Sequence, residues 1–149
     1  MKNVILSVSL LVTIVAVASA SPVDNVNEKV LKAFNQTFAN AQDVIWHEYD
    51  HIYQANFKQD DIQIRAQYDQ DGTLIETIRY YGERQLLPNV VSRIKKKYAG
   101  REIFGVTETT SDLGVDFLVT LKDEKNWYVV ESDVYGNLVQ TEKFKRADN

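Results

Sequence analysis

IYQANFKQDDIQIRAQYDQDGTLIETIRYY, residues 52–81, is the stretch that decides how this chain folds. Tyr53, Ala55 and Phe57 alternate with Gln54, Asn56 and Lys58, and Ile62, Ile64, Ala66 and Tyr68 alternate with Gln63, Arg65 and Gln67. A period of two puts each apolar set on one face of a half-buried antiparallel strand and leaves the other face in water. Asp60-Asp61 and Asp71-Gly72 separate the runs. Asp bonds its own backbone and Gly takes positive φ, so the stretch predicts hairpins joined by short turns. Such a sheet needs a cover, and the helical segments on either side are the candidates.

Upstream, Val26, Val30, Phe34 and Phe38 recur at helical spacing between Asp24 and Ala41, with Asp24 as the expected cap. A first strand follows at Val44 to Tyr49, with Val44 and Trp46 inward. Downstream, Pro88 opens a second helix. Its apolar stripe is Val90, Val91, Ile94 and Tyr98; its basic side is Arg93, Lys95, Lys96 and Lys97, and Gly100 stops it. Strands are expected at Glu102 to Glu108, Val115 to Leu121, Asn126 to Asp133 and Leu138 to Lys143, with a fraying polar tail from Phe144.

The two halves match each other. A shift of 64 carries Tyr53, Ala55 and Phe57 onto Phe117, Val119 and Leu121, and Gly72 onto Gly136; a shift of 60 carries Val30, Phe34 and Phe38 onto Val90, Ile94 and Tyr98. The four-residue difference is placed in a longer loop at Thr109 to Gly114. The expected fold class is α+β, a tandem repeat of one helix plus an antiparallel sheet of about four strands, helices on one sheet face. The repeats would span 24–82 and 86–144, and a polar tail 145–149.

Met1-Lys2-Asn3, an apolar run from Val4 to Ala18 and Ala18-Ser19-Ala20 before Ser21-Pro22 fit a secretory signal peptide over residues 1–20, with a buried helix or anchor as the other reading. The run is shorter than the roughly 20 apolar residues of a spanning helix, so no stable membrane anchor is expected. With no cysteine the chain has neither a disulfide nor a thiolate, which suits a bacterial envelope, and a periplasmic or secreted location is expected. The formal net charge of −4 argues against nucleic acid as a partner.

Chemistry-bearing motifs are sparse. His47 and His51 are the only histidines, with Glu48 and Asp50 between them. They define a small-ligand or metal-binding alternative, but the closed ligand set of a structural zinc site is lacking. Asp69-Gln70-Asp71-Gly72 opens like a calcium loop, yet Tyr80 stands where the loop's final glutamate belongs, so a plain turn is favoured. Ser21, Ser92, Ser111 and Ser132 lie in no nucleophile elbow and connect by pattern to neither histidine. No glycine-rich phosphate loop occurs. No catalytic residue, cofactor site or metal site is therefore assigned, and the chain is read as a non-enzyme.

Eight tyrosines, six phenylalanines and two tryptophans are the surplus. Tyr49, Tyr81, Trp127 and Tyr135 lie near strand ends or on the parity opposite the core, where aromatic rings serve as interface anchors. Alternation gives the uncovered face Gln63, Arg65 and Gln67 in the first half, and Leu118, Trp127 and Val129 in the second. Trp127, Leu118, Val129, Arg65 and Tyr49 are accordingly the expected partner-binding residues, Trp127 at the centre; the rival reading buries Trp127 between the halves. The partner would be an envelope or secreted protein, or a second copy of the chain.

From Asp24 to Phe144 the chain resembles the PepSY-like, beta-lactamase-inhibitor-like family of exported Bacteroidetes proteins. The resemblance rests on Val30-x-x-x-Phe34-x-x-x-Phe38, Val44-x-Trp46, Tyr53-x-Ala55-x-Phe57, Ala66-x-Tyr68-x-x-x-Gly72, Leu87-Pro88, Ile94-x-x-x-Tyr98, Asp133-x-x-Gly136 and Lys143. It implies tandem helix-plus-sheet units, a protein-binding sheet and restraint of a peptidase, and it supplies no catalytic residue.

Overall fold

A computed structural model describes residues 21–22 and 25–147; the residues read as a signal peptide, and Asp24, lie outside them. The order of elements is β1 (Ser21–Pro22), α1 (Glu28–Thr37), β2 (Gln42–Tyr49), β3 (Ile52–Gln59), β4 (Ile62–Tyr68), β5 (Leu74–Tyr81), a single 3-10 turn (Glu83–Gln85), α2 (Pro88–Lys97), β6 (Glu102–Ser111), β7 (Gly114–Lys122), β8 (Asn126–Asp133) and β9 (Leu138–Lys145). Each strand pairs antiparallel with its neighbour in the chain, giving one α+β open sheet of eight long strands with two-residue β1 along its β2 edge.

Cross-strand partners share a face. Phe57, Ile64, Arg79, Glu108, Phe117 and Ser132 form one row across the sheet, and Tyr81, Val106, Val119 and Val130 another. This is the face both helices cover, and Ala55, Ala66, Val119, Leu121 and Val130 on it are fully buried. Beneath α1 the core is aromatic: the Phe34 ring lies 5.1 Å from both Trp46 and Phe57 and 6.4 Å from Tyr68. Burial pushes the Tyr68 hydroxyl up to about 12. Tyr81 belongs to this core as well, contrary to its expected place among the interface aromatics, because β5 continues in register to its last residue opposite Val106.

Helix ends follow local chemistry. Asn27, not Asp24, caps α1, its side chain accepting from Lys29 N at 2.8 Å, and Glu28 sits in the first turn where the dipole favours an acid. The α2 helix starts at Pro88, ends at Lys97 and carries Lys95, Lys96 and Lys97 in its last turn, favourable at the C-terminal end. Asp50-His51 and Asp60-Asp61 take positive φ at both positions, the form of the two-residue hairpin loop. Where a longer loop at Thr109 to Gly114 was expected, β6 runs on to Ser111 and turns over Asp112-Leu113 alone, so the additional residues lengthen the hairpin strands. The tail also differs: β9 continues to Lys145, and Arg146 donates through its backbone to Lys125 O and through its side chain to Asp123 O, at 2.8 and 2.9 Å.

Two matching turns lock the sheet to the helices. Asp69 Oδ1 accepts from Asp71 N and Thr73 N at 2.9 and 2.8 Å, and Asp133 Oδ1 accepts from Tyr135 N and Asn137 N, both at 2.9 Å. These are self-bonded turns, as favoured over a calcium loop. Gly72 (φ +83°) passes so close under α1 that a Cβ would stand 2.8 Å from Lys29 O; at Gly136 (φ +77°) it would meet the Arg93 side chain at 2.6 Å. At Gly72 only glycine fits both the conformation and the approach to backbone; at Gly136 the positive φ is what favours glycine, since the Arg93 side chain can shift.

The face assignment is checked by stability. Ile64→Asp should unfold the domain, Phe34→Ala should cost about 3–5 kcal/mol, and Arg65→Ala, on the opposite face, should change it little. A larger loss in the Arg65 variant than in either core variant would reverse the faces. The turn carboxylates set an acid limit as well. Backbone donors from Thr73 and Asn137 lead in holding Asp69 and Asp133 below the usual 3.8. Because the folded values are the lower ones, their stabilisation is complete above the unfolded value and is lost as pH falls through the folded values. Denaturant midpoints should therefore fall below about pH 4, with a shallower fall in Asp69→Asn with Asp133→Asn.

Candidate interaction face

The face away from the helices is organised in rows by strand register. One row runs Gln63, Tyr80, Thr107, Leu118, Glu131 and Val139 from β4 to β9; the next runs Asn56, Arg65, Ile78, Thr109, Asp116 and Asp133. Toward the first half the surface is amide-rich. Gln54 accepts from Gln67 Nε2 at 3.3 Å and from the Tyr49 hydroxyl at 3.4 Å, and donates to Asn56 at 3.2 Å. Burial is the leading cause that raises the Tyr49 hydroxyl. An open hollow of about 430 Å³ lies beside this network, lined by Asp43, Ile45, Lys58, Arg65 and Tyr80 among others.

The second half of the face is apolar. Leu118 on β7 stands diagonal to Val129 on β8, and Trp127 is two residues before Val129 on the same strand face. A register shift in β6 between Ile103 and Gly105 brings Phe104 against Trp127, edge to face at 4.8 Å. Phe144 pairs with Trp127 from β9. Cations frame the aromatic cluster, with Arg146 5.5 Å from the Trp127 ring and Lys122 4.9 Å from that of Phe104. Phe104 (57%), Val139 (60%) and Phe144 (48%) are the most exposed members, while Leu118 and Tyr80 are each 39% exposed.

No protein-family model and no curated protein matches the chain. Among solved structures it is similar to a BLIP-like protein from Bacteroides fragilis NCTC 9343, 16% identical, covering 84% of this chain and 91% of that one with a TM-score of 0.64. The chain has the fold of the BLIP-like proteins. A DUF2874 family protein from Bacteroides ovatus ATCC 8483 is 17% identical over 82% of this chain and 89% of that one, TM-score 0.62. A protein from Bacteroides eggerthii DSM 20697, provisionally named periplasmic, is 11% identical over 81% and 89%, also at 0.62. The resemblance read from the sequence thus holds for the BLIP-like fold, and none of these three structures carries the PepSY name.

On this BLIP-like sheet the five expected binding residues all lie on the uncovered face but not in one patch. Leu118, Val129 and Trp127 form a group; Arg65 is three strands from Leu118, about 14 Å, and Tyr49 is six strands from Trp127, about 29 Å at the usual spacing. Trp127 is no bridge between the halves: it is half-buried on the open face beneath Phe104, Phe144 and Arg146. Phe104, Tyr80, Val139 and Phe144 were missed. Gly105 after Phe104 is a bulge signal, whereas Phe144 falls at the start of the tail expected from the sequence. His47 lies on β2 opposite Gln54, and His51 in the β2–β3 turn, where its Nδ1 pairs with Gln70 Nε2 at 2.8 Å. Among the described residues no group of three His, Cys, Asp or Glu side chains is arranged to hold a metal.

The cations make a signature for Trp127. In a Trp46→Phe variant, iodide should quench the remaining tryptophan more strongly than caesium, since Arg146 and Lys122 concentrate anions there. Equal quenching, or stronger quenching by caesium, would place the ring elsewhere.

Proposed function

We propose that this chain is an exported, non-enzymatic binding module that recognises, and where its target is an enzyme inhibits, an envelope or secreted protein through the open sheet face. The apolar group of Leu118, Val129, Trp127, Phe104 and Phe144 on an uncovered sheet carries this reading, because a monomer has reason to cover such a patch. Rigid aromatic rings bordered by Arg146 and Lys122 suit a hot spot, and Arg65 and the Gln54 network suit a polar rim. The BLIP-like fold supports the class of function and leaves the target open. Export is supported by the pattern of residues 1–20 and the provisionally periplasmic neighbour; no helix among the described residues is long and apolar enough to cross a membrane. We read the halves, 24–82 and 86–144, as a duplicated unit, supported by the equivalent Asp69 and Asp133 turns.

The test is titration of the purified chain into a panel of secreted enzymes, serine beta-lactamases and peptidases among them, reading residual activity and association. At least one should bind, and Leu118→Asp should weaken it by tenfold or more, about 1.4 kcal/mol. Binding indifferent to Leu118→Asp and Phe104→Ala would remove the face from the interface. Turnover of peptide, ester or glycan substrates by the chain itself, abolished by a single carboxylate substitution, would overturn the non-enzymatic reading.

A further inference from the structure

The two edges of the sheet differ. Along β2 the Ser21–Pro22 pair lies against His47 and Glu48, and Asp43 at positive φ accompanies a register shift between Gln42 and Ile45. Among the described residues β9 has no strand on its outer side. Its register with β8 shifts between Val129 and Val130, at Thr141, so the uninterrupted outer ladder is Glu142–Lys145. An edge of this kind presents backbone donors and acceptors that another extended chain can pair with.

The side chains along it select what pairs. Register puts Lys143 and Lys145 on the helix side, opposite Tyr128 and Asn126, and Glu142 and Phe144 on the open side, opposite Val129 and Trp127. On the helix side the positive charge continues. Lys143 and Arg101 lie 5.4 and 4.1 Å from the same Tyr128 ring, and Arg93, Lys96 and Lys97 line a hollow of about 480 Å³ reaching Leu138, whose carbonyl accepts from Lys97 at 2.8 Å. The acid nearest Arg101 is Asp123, at 3.7 Å, and it is already engaged by the Tyr128 hydroxyl and the amides of Lys125 and Asn126. Those donors, the tyrosine hydroxyl first, hold it well below the usual carboxylate range. In a chain of net charge −4, a basic strip along a free strand edge is a local concentration of the opposite sign.

We propose that β9 takes an extended acidic peptide as a tenth strand, its alternate residues acidic toward the lysines and apolar toward Phe144 and Val139. The same lysines disfavour pairing of β9 with a second β9, since that would bring like charges together. This site adjoins the open face proposed above and shares Phe144 with it, but it does not depend on that reading: its main contacts are backbone ladder bonds with charge on the helix side, where the open face offers side chains alone.

A labelled nine-residue peptide alternating Glu and Val is the probe, read by fluorescence anisotropy against the whole purified chain. It should bind, weaken about tenfold between 0.05 and 0.5 M salt, and weaken about tenfold or more in Lys143→Glu with Lys145→Glu. Lys96→Glu with Lys145→Glu, away from the Tyr128 ring, gives the same reading should the first pair disturb folding. Methylating alternate peptide nitrogens should abolish binding, amide exchange should slow within Glu142–Lys145, and Leu118→Asp should leave affinity unchanged. Absence of binding overturns the proposal. So does equal binding of the Lys and Val analogue, which would mean that charge selects nothing, or of a peptide with its Glu residues in one block or of the methylated peptide, either of which would mean a basic surface without strand addition. Binding lost in Leu118→Asp with β9 exchange unaltered would assign the peptide to the open face and equally overturn it.

Discussion

The pairing of β5 with β6 is the contact on which the rest depends. Without it the chain would be two four-stranded halves, each under its own helix; with it, register from Glu76 opposite Ser111 to Tyr81 opposite Val106 makes one sheet. Two ten-residue helices are about 10 Å wide each, whereas eight strands span about 34 Å, so neither helix covers the join. Beside the buried pair of Tyr81 and Val106, polar side chains occupy it on the helix side. Arg79 reaches Glu108 at 3.0 Å, the Tyr81 hydroxyl donates to the other carboxylate oxygen, and the Arg79 guanidinium lies 5.4 Å from the Tyr81 ring. The Glu108 side chain is only 14% exposed, and an acid so shielded is tolerable because both its oxygens are engaged. Burial first, then Glu108, raises the Tyr81 hydroxyl far above its ordinary value, so it stays a donor throughout the physiological range.

That join explains why one face of the sheet holds two kinds of surface. The covered face must be apolar under each helix and can be polar between them. The open face has no helix to satisfy, and its character is set strand by strand. Side-chain amides of Gln54, Asn56 and Gln67 satisfy one another and stay hydrated, while Leu118, Val129 and Trp127 gain nothing from water. The apolar end is thus the part of the face that gains by being covered.

Much of this was legible in residue order. Tyr53 to Tyr68 alternate strictly because β3 and β4 are buried on one side and wet on the other, and the parity that buried Phe117 and Val119 also placed Leu118 outside. Helical spacing found the α1 and α2 stripes, but it does not distinguish Asp24 from Asn27 as the cap, since either side chain suits that role. Phe104 and Thr141 sit at register shifts, where the period of two fails and no local pattern reports which side a residue takes. Tyr81 was misplaced because its burial comes from a strand of the other half. The candidate site was legible by face and not by distance: nothing within the chain's pattern says that Tyr49 and Trp127 end six strands apart.

The strand order has a kinetic meaning. Since β1 to β9 lie side by side in the order they occur along the chain, most ladders close a short loop, and the steps from β1 to β2 and from β5 to β6 each span only one helix and its connections. Loop closure of that kind costs little entropy, and sheets built from near neighbours form faster than those that must find distant strands. A chain organised this way can zip outward from any hairpin, β2 with β3, β3 with β4 and β6 with β7 each being joined by a two-residue loop. The interval in which bare strand edges are exposed to other unfolded chains is correspondingly brief.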